Sequence, residues 1–519
     1  MKVASIQVKA NDLKDYERAW EHLHQMVVNA ANNHDLILVP ECAFPAYFLH
    51  PDEGCIDDIV INNGDLYLNT LKEIARNKEV YIAYGCLEKS GEDIYNSAIL
   101  IDPSGEEIVK KRKSFLWHFD QEWFTAGEDV AVADTDFGRV ALVVCADARM
   151  PEIVRLAALE GAQLIIDLAN LTATGPDITA LQNAQSAYML SVRAMENQVW
   201  LAVSDKWGVE SGSITYAGRS GVFAPDGSIV YQASSHQDEV VSVEIPTDEN
   251  GKIKHPAISA PIKRRSELYT ALTQENNSLP VSEVMRERVI PEDITPYITT
   301  ASGEFRDAKE YLQMVKRLVN HGSSIICMPP AAIQIADYVD RITPFLPESV
   351  VLIGTVKEEN KGMTSYLITQ KGIEETYFTL HHEASLSEFT TPVFQTKWGR
   401  IGIMHGDEAI LPEWPRTMMV LGADCIIWPN DLAESRASNI GRTRAAESRI
   451  FIVSASSCDQ GVSQVIDPNG VVTASTLKTE RLHACGSFAP FTLSRIKDVV
   501  PGTNVFRNRR PHFYGGLVK

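Results

Sequence analysis

Three side chains in the first half of the sequence carry the groups of a base, a cation and a nucleophile. Glu41 follows the apolar run "LILVP", Lys113 stands in "IVKKRKSFLW", and Cys145 closes the apolar run "ALVVC". A glutamate can take the proton of a thiol, and the thiolate can then attack a carbonyl or nitrile carbon while an ammonium stabilises the developing charge. Ammonia or an amine leaves with that proton, and the glutamate next activates water to hydrolyse the thioester. The three residue types are therefore sufficient for acyl transfer.

Each candidate also has an ordinary structural explanation. Cys145 precedes a helix that begins at Pro151, and such a turn suits either an exposed thiol near free amides or a buried small hydrophobe. Glu41 is either a partly buried base or an exposed glutamate at the start of a loop. Lys113 is the last of four consecutive cations, a pattern typical of a solvated strand edge. Glu122, in the aromatic-rich stretch "DQEWFTAG", is equally compatible with an ordinary surface glutamate.

The sequence contains two copies of one domain, which provides an internal comparison. Residues 138–170, beginning "GRVALVVCADARMPE", align without a gap with residues 399–431, beginning "GRIGIMHGDEAILPE". The phrase "LILVPECAFPA" at 36–46 has a counterpart in "IICMPPAAI" at 325–333. The offset between the copies shrinks along the chain, which indicates that the second copy has shorter loops.

The second copy keeps its scaffold but lacks the three chemical groups. Pro330 stands where the first copy has Glu41, and Gly406 stands where it has Cys145. The position of Lys113 corresponds to Leu380 or Thr379, depending on where the gap falls. The loss of one thiol, one carboxylate and one amine together predicts that the three act as a set in the first copy. The neighbouring scaffold residues are kept, namely Pro40 and Pro329, Gly138 and Gly399, Pro151 and Pro412, and Glu152 and Glu413.

The length of 519 residues suits two large domains rather than one core. We predict a first domain at residues 1–275 and a second, non-catalytic domain at residues 290–519. The boundary falls in the polar stretch "QENNSLPVSEVMRERVIPED" at 274–293.

Predicted strands and helices alternate within a copy. "KVASIQV", "LILVP", "RVALVVC" and "QLIIDLA" read as strands, whereas "PEIVRLAALEG" reads as a helix with proline at its start and glycine at its end. The stretch "YERAWEHLHQMVVNAA" places Trp20, Leu23, Val27 and Ala30 on one helical face. This order predicts a layered α/β domain in which helices cover sheets.

Composition excludes several classes of function. The formal net charge of -20 argues against nucleic-acid binding, which needs clustered basic residues. The first residues lack the pattern of a signal peptide, and no run reaches about 18 apolar residues, so we predict a cytoplasmic protein without membrane contact. The eight cysteines form no CxxC pair, which indicates neither a zinc site nor a disulfide framework. No metal or cofactor is predicted.

Four separated motifs resemble the nitrilase superfamily of carbon-nitrogen hydrolases. They are "LILVPECAFPAYF", "KKRKSFL", "QEWFTAG" and "GRVALVVCADARMPEIVRLAALEGA", and they occur in order in the first copy. The resemblance implies an α-β-β-α sandwich with the catalytic triad Glu41, Lys113 and Cys145. Glu122 would be an accessory residue that positions Lys113 or the substrate. Asn170, in "IDLAN", would lie near the substrate, although an asparagine that caps a turn is an equal alternative.

The resemblance also implies an assembly and a small-molecule substrate. Members of the superfamily usually dimerise through their helical faces, so the two copies are expected to form such a pseudo-dimer within one chain, with further homo-oligomerisation open. "CADARMPE" resembles the amidase and carbamoylase branches, which favours cleavage of a small linear amide or N-carbamoyl compound. Met150 and Asp205 depart from the usual patterns of the superfamily. The alternatives are a nitrilase, or a non-enzymatic interaction protein that retains the fold.

Overall fold

The structure, a computed structural model, describes residues 1–49, 56–254, 262–286, 295–358, 362–381, 392–459, 461–478 and 482–519. The chain divides into two compact units. The first unit contains Met1–Ile258 and Val500–Thr503, and the second contains Ser259–Val499 and Asn504–Lys519. Residue 290, the predicted start of the second copy, lies outside the described residues.

The first unit alternates strands and helices as the sequence predicts. Its helices are α1 (Tyr16–Ala30), α2 (Ile56–Lys78), α3 (Asp120–Trp123), α4 (Pro151–Leu159) and α5 (Leu190–Asn197). Its strands are β1 (Lys2–Lys9), β2 (Leu36–Phe44), β3 (Tyr81–Ser90), β4 (Asp93–Ile101), β5 (Glu107–Arg112), β6 (Ala131–Thr135), β7 (Gly138–Val144), β8 (Leu164–Leu168), β9 (Trp200–Ser204), β10 (Lys206–Glu210), β11 (Ile214–Ala217), β12 (Gly221–Phe223), β13 (Ile229–Gln232) and β14 (Glu239–Glu244).

Two sheets of the first unit pack face to face between helices. One sheet has the strand order β11-β10-β1-β2-β3-β4-β5 with β14 beside β1, and the other has the order β13-β12-β9-β8-β7-β6. The sheets meet where the Ser5 hydroxyl donates to the Val203 carbonyl and the Ser204 hydroxyl donates to the Ile6 carbonyl, both at 2.5 Å. Helices α1 and α2 pack on the outer face of the first sheet, and α5 packs on the second. The predicted α-β-β-α sandwich is confirmed.

Helix α1 shows why this layering follows from the sequence. Its apolar residues recur at helical spacing, so one stripe faces the sheet while the other faces stay polar. The predicted face is confirmed, because the buried residues of α1 are Trp20, Leu23, Val27 and Ala30.

The second unit repeats the sandwich. Its sheets have the orders β19-β18-β17-β16-β15-β26 and β20-β21-β22-β23-β24-β25. Its helices are α6 (Pro280–Arg286), α7 (Ala308–Asn320), α8 (Val339–Ile342), α9 (Glu413–Val420), α10 (Glu434–Ser448) and α11 (Thr492–Arg495). The strands of the two sheets are β15 (Tyr297–Ser302), β16 (Ile325–Ala331), β17 (Val351–Glu358), β18 (Gly362–Thr369), β19 (Gly372–Phe378), β20 (Val393–Thr396), β21 (Gly399–Ile403), β22 (Cys425–Asn430), β23 (Phe451–Ser456), β24 (Gln464–Ile466), β25 (Val472–Ser475) and β26 (His483–Phe488). Two short strands, β27 (Asp498–Val500) and β28 (Thr503–Asn504), pair near the end of the chain.

The repeat extends to buried side-chain contacts. On α5, the guanidinium of Arg193 donates to the carbonyls of Ala148 and Arg149 at 2.9 and 2.7 Å and pairs with Glu196 at 2.7 Å. This arginine therefore fastens α5 to the turn that follows β7. The equivalent contacts on α10 join Arg444 to Ala409, Ile410 and Glu447. The two copies in the sequence thus fold into two units with the same buried contacts. The pairing of the two copies stays a prediction.

Within the described ranges, every helix is too short or too polar to cross a membrane.

Candidate active site

Glu41 lies in a bulge of β2. The register between β2 and β3 shifts between Val39 and Phe44, so the residues between them leave the regular ladder. The two strands approach so closely there that a Cβ on Gly85 would lie 2.2 Å from the Pro40 carbonyl oxygen, which requires glycine. Bulges of this kind redirect side chains beside active sites. The bulge turns Glu41 inward, where it is 0% exposed, rather than into a surface loop.

Lys113 is buried against Glu41 and is not on a solvated edge. It follows β5 and is 1% exposed. Its ammonium donates to Glu41 Oε1 at 2.7 Å, and the Asn96 side chain donates to the same oxygen at 2.6 Å. Glu41 Oε2 has no hydrogen-bond partner among the described residues. One carboxylate oxygen therefore holds the lysine while the other stays available for a proton.

Asp120, which the sequence analysis did not single out, is the second acidic partner of Lys113. Its Oδ2 lies 2.7 Å from the Lys113 ammonium and accepts the Trp117 amide at 2.7 Å. Glu122, the predicted accessory residue, lies two positions further along α3 and points to solvent. The structure thus brings Asp120, and not Glu122, to the lysine.

Cys145 stands at the strand-to-helix turn that the sequence predicts. It begins a 3-10 turn, Cys145–Arg149, between β7 and α4, and is 6% exposed. Its φ of 52° lies in the left-handed region, which costs a non-glycine residue of order 1–3 kcal/mol and is found mainly at functional sites. Two side chains hold this conformation: Asp167 Oδ1 accepts the Cys145 amide at 2.8 Å, and the Gln185 amide donates to the Cys145 carbonyl at 2.9 Å.

Asp147 ties the cysteine turn to the lysine segment. Its Oδ1 accepts the backbone amides of Ser114 at 3.0 Å and Phe115 at 2.8 Å, directly after Lys113. A carboxylate that spans two loops fixes the distance between their side chains. Asp147 therefore positions Lys113 relative to Cys145.

The buried charges determine which protonation states the site favours. Burial raises the pKa of the Cys145 thiol well above its ordinary value, Glu41 adds to the effect, and Lys113 opposes it. Burial also raises the pKa of Glu41, against the pull of the Lys113 ammonium. Burial disfavours a charged Lys113, but Asp120 and Glu41 hold its pKa well above the usual range. The resting site therefore contains a thiol that needs a base, a carboxyl group suited to exchanging protons, and a permanent cation.

Asn170 follows β8 and lies beside the cysteine. It is 4% exposed, and the influence of its backbone amide lowers the pKa of the Cys145 thiol, which favours the thiolate. Neither polar atom of its side chain has a protein partner within the described part of the chain. A buried side-chain amide without a protein partner is available to hydrogen-bond a polar substrate. Its predicted substrate-binding role stays a prediction.

Asp167 is a buried carboxyl group in the middle of an apolar strand. Burial raises its pKa well above the ordinary range, which favours the neutral acid, and its Oδ1 accepts the Cys145 amide. The aligned position in the second copy is Trp428, whose indole donates to the Gly406 carbonyl at 2.8 Å. Asp167 and Cys145 are thus both replaced in the second copy, so the comparison of the two copies could have marked Asp167 as a site residue.

Changing Asp167 to leucine is expected to lower kcat about tenfold with little change in KM, because leaving the buried Cys145 amide without its acceptor costs about 1.4 kcal/mol. Asp167→Asn keeps an acceptor oxygen and is expected to retain activity within about threefold. Steady-state kinetics of both variants on one amide measure the difference. Equal losses in the two variants would assign Asp167 to packing rather than to orientation of Cys145.

Comparison with known proteins places the chain in a family. Residues 2–254 and 294–482 match the carbon-nitrogen hydrolase family. A nitrilase of Pyrococcus abyssi is 30% identical over 47% of this chain and 89% of its own length. An omega-amidase of Xenopus tropicalis is 27% identical over 40% of this chain and 75% of its own. The solved amidase of Nesterenkonia sp. AN1 is 25% identical over 48% of this chain and 95% of that chain, with a TM-score of 0.42. The chain belongs to the carbon-nitrogen hydrolase family.

Proposed function

We propose that the first unit hydrolyses small linear amides or N-carbamoyl compounds to an acid and ammonia through a thioester on Cys145. The observation that carries this proposal is the buried pair of Glu41 and Lys113, whose charges act on the Cys145 thiol. Membership of the carbon-nitrogen hydrolase family indicates that the bond cleaved is a carbon–nitrogen bond. The roles of the individual residues follow from their protonation states.

The acylation half-reaction begins at a protonated thiol. As the Cys145 sulfur bonds to the carbonyl carbon, its proton passes to Glu41, because burial makes the free thiolate unfavourable. The carbonyl oxygen gains negative charge, which the buried Lys113 ammonium stabilises. The carbon–nitrogen bond then breaks, Glu41 returns its proton to the nitrogen, and ammonia leaves.

Deacylation uses the same groups in reverse. Glu41, again a carboxylate, takes a proton from water while the hydroxyl adds to the thioester carbon. The carbon–sulfur bond breaks, the sulfur recovers its proton from Glu41, and the acid departs. Lys113 keeps its proton throughout, since two carboxylates hold its pKa high. Glu41 thus serves as both base and acid, while Lys113 only provides a positive charge.

Nitrile hydrolysis is a second candidate, because the relative from Pyrococcus abyssi is named a nitrilase. A thiol can add to a nitrile carbon with the same base and cation. Amide cleavage is favoured by the stretch "CADARMPE", which resembles the amidase and carbamoylase branches of the superfamily.

A paired assay tests the proposal. The full chain is incubated with linear amides, N-carbamoyl compounds and nitriles; ammonia is measured, and quenched samples are digested for mass spectrometry. We expect ammonia from amides and an acyl mass on the Cys145 peptide, with the other seven cysteines unmodified as internal controls. Ammonia release with the acyl group on another cysteine would refute the assignment, and release from nitriles alone would favour the second candidate.

A further inference from the structure

The second unit contains a cavity at the place that corresponds to the active site. It has a volume of about 440 Å³, within the range of small-molecule sites. Its walls include Met363, Thr379, His405, Gly406, Asp407 and Asp431. The loss of the three chemical groups has therefore not closed the pocket.

Backbone contacts establish the correspondence between the two places. Glu408 Oε1 accepts the amides of Leu380 at 3.0 Å and His381 at 3.3 Å, as Asp147 does for the two residues after Lys113. Thr379 therefore occupies the position of Lys113, which resolves the gap that the sequence left open. Gly406 has a φ of 43°, close to the 52° of Cys145.

The bulge that carries Glu41 is also kept in the second unit. The register between β16 and β17 shifts between Cys327 and Pro330, as it does between β2 and β3. Pro330 therefore occupies the bulge without contributing a charge. The framework of the site persists although the residues that could cleave a bond are absent.

A hydrogen-bonded network around His405, which has no counterpart at Val144 in the first unit, supports the cavity wall. His405 replaces Val144, and its ring nitrogens contact the Ser365 hydroxyl at 2.7 Å and the Thr379 hydroxyl at 2.9 Å. Burial lowers the pKa of His405 to about 4, so the ring is neutral at neutral pH. Because both nitrogens are already occupied, this histidine shapes the wall rather than acting as a base.

The charged groups of the lining differ in their partners. Asp431, at the position of Asn170, is held by Lys357 at 2.5 Å. Asp407 Oδ1 is buried without a hydrogen-bond partner in the described ranges. Lys263 contributes an exposed ammonium to the same lining. An unpartnered acceptor and a cation in one cavity suit a head group that has both N–H donors and an acceptor oxygen.

We propose that the second unit binds a small molecule with such a head group, of which a primary amide is the simplest, and holds it without cleaving it. The amide N–H groups meet the Asp407 carboxylate, and the carbonyl oxygen faces Lys263. Retention without turnover follows because Gly406, Thr379 and Pro330 replace Cys145, Lys113 and Glu41, so the thiol nucleophile and the glutamate–lysine pair that acts on it are absent. Binding here does not depend on turnover in the first unit.

Calorimetric titration of the full-length Cys145→Ala variant, which removes the thiol of the first unit, tests the proposal with propionamide as the probe. We expect Asp407→Asn in this background to remove one binding site or weaken it at least tenfold. Asp340→Asn, which changes an exposed aspartate of the same unit, is the matched control and is expected to bind like its parent. Met363→Trp, which fills the cavity from its wall, is expected to remove the same site.

Two further probes identify the head group. Propylammonium carries only donors and propionate only acceptors, so both are expected to bind at least tenfold more weakly than propionamide. Unchanged propionamide binding in both the Asp407 and the Met363 variants would overturn the proposal. Stronger binding of propylammonium than of propionamide would overturn the assigned head group.

Discussion

Glu41→Gln is expected to lower kcat/KM for the preferred amide by about 10³-fold, within the range that a general base contributes. Glutamine keeps the size of the side chain and an oxygen that can accept from Lys113 and Asn96, but it cannot take a proton. Burial holds the Cys145 sulfur as a thiol, so attack stalls without a base. Steady-state ammonia release measures the loss, and the reaction of Cys145 with iodoacetamide is expected to slow in parallel.

The pH dependence of kcat/KM provides a second test of the role of Glu41. Because burial raises the pKa of Glu41, kcat/KM of the wild type is expected to fall as the pH drops through that raised value, where the carboxylate becomes protonated. The residual activity of Glu41→Gln should lack this acid limb.

Glu88 offers a matched control for the loss of an ion-paired carboxylate. It pairs with Arg112 at 2.8 Å and with Lys110 at 3.2 Å. Partial burial raises the pKa of Glu88, but the hydrogen bonds from Arg112 and Ser97 and the charge of Lys110 outweigh it and lower that pKa to about 2. Glu88→Gln is expected to keep activity within about threefold, since ion pairs that solvent partly reaches contribute little to stability. A loss in Glu88→Gln as large as that in Glu41→Gln would show that the loss comes from general destabilisation rather than from a missing base.

The repeat made the main features of the site predictable. Glu41, Lys113 and Cys145 stood out because one copy of the domain kept its prolines and glycines while these three groups disappeared. The structure brings the glutamate and the lysine to 2.7 Å and places the thiol within reach of their charges. Periodicity alone predicted the layers, since apolar spacing decides which face of a helix or strand is buried.

Other parts of the site could not be read from patterns. The strand β2 runs past Pro40 through a bulge, a feature that depends on the close approach of Gly85 from another strand. Asp147 acts through hydrogen bonds to backbone amides 33 and 32 residues earlier in the chain, and such contacts leave no local signal. Asp167 was visible as a carboxyl group inside "LIIDLAN" that Trp428 replaces in the second copy, but its role becomes clear only from its contact with the Cys145 amide.

The choice between Asp120 and Glu122 shows this limit most clearly. The two carboxylates are two residues apart in "FDQEWF", and the resemblance pointed to the second. In the single turn of α3, successive residues are rotated by about 100°, so positions two apart point to nearly opposite sides. Only one of them can face Lys113, and a sequence does not reveal how a four-residue helix is rotated.

Asp120→Asn is therefore expected to lower kcat/KM by about 10²-fold, because the charge-assisted hydrogen bond to Lys113 contributes roughly 1.5–3 kcal/mol. Asparagine preserves the shape of the side chain but leaves Lys113 with one anionic partner, Glu41. The lysine then binds Glu41 more tightly, which weakens the glutamate as a base and moves the acid limb of the pH profile to lower pH. Steady-state kinetics across pH measure both effects.

Glu122→Gln is the matched control, since it makes the same chemical change two residues along the same helix. Its side chain is exposed, so kcat/KM and the acid limb are expected to stay within about twofold of the wild type. Urea denaturation of both variants separates catalytic from folding effects, because a variant that is merely unstable shows a lower midpoint with an unshifted pH profile. A large loss in Glu122→Gln with an unchanged Asp120→Asn would reverse the assignment and require α3 to rotate when substrate binds.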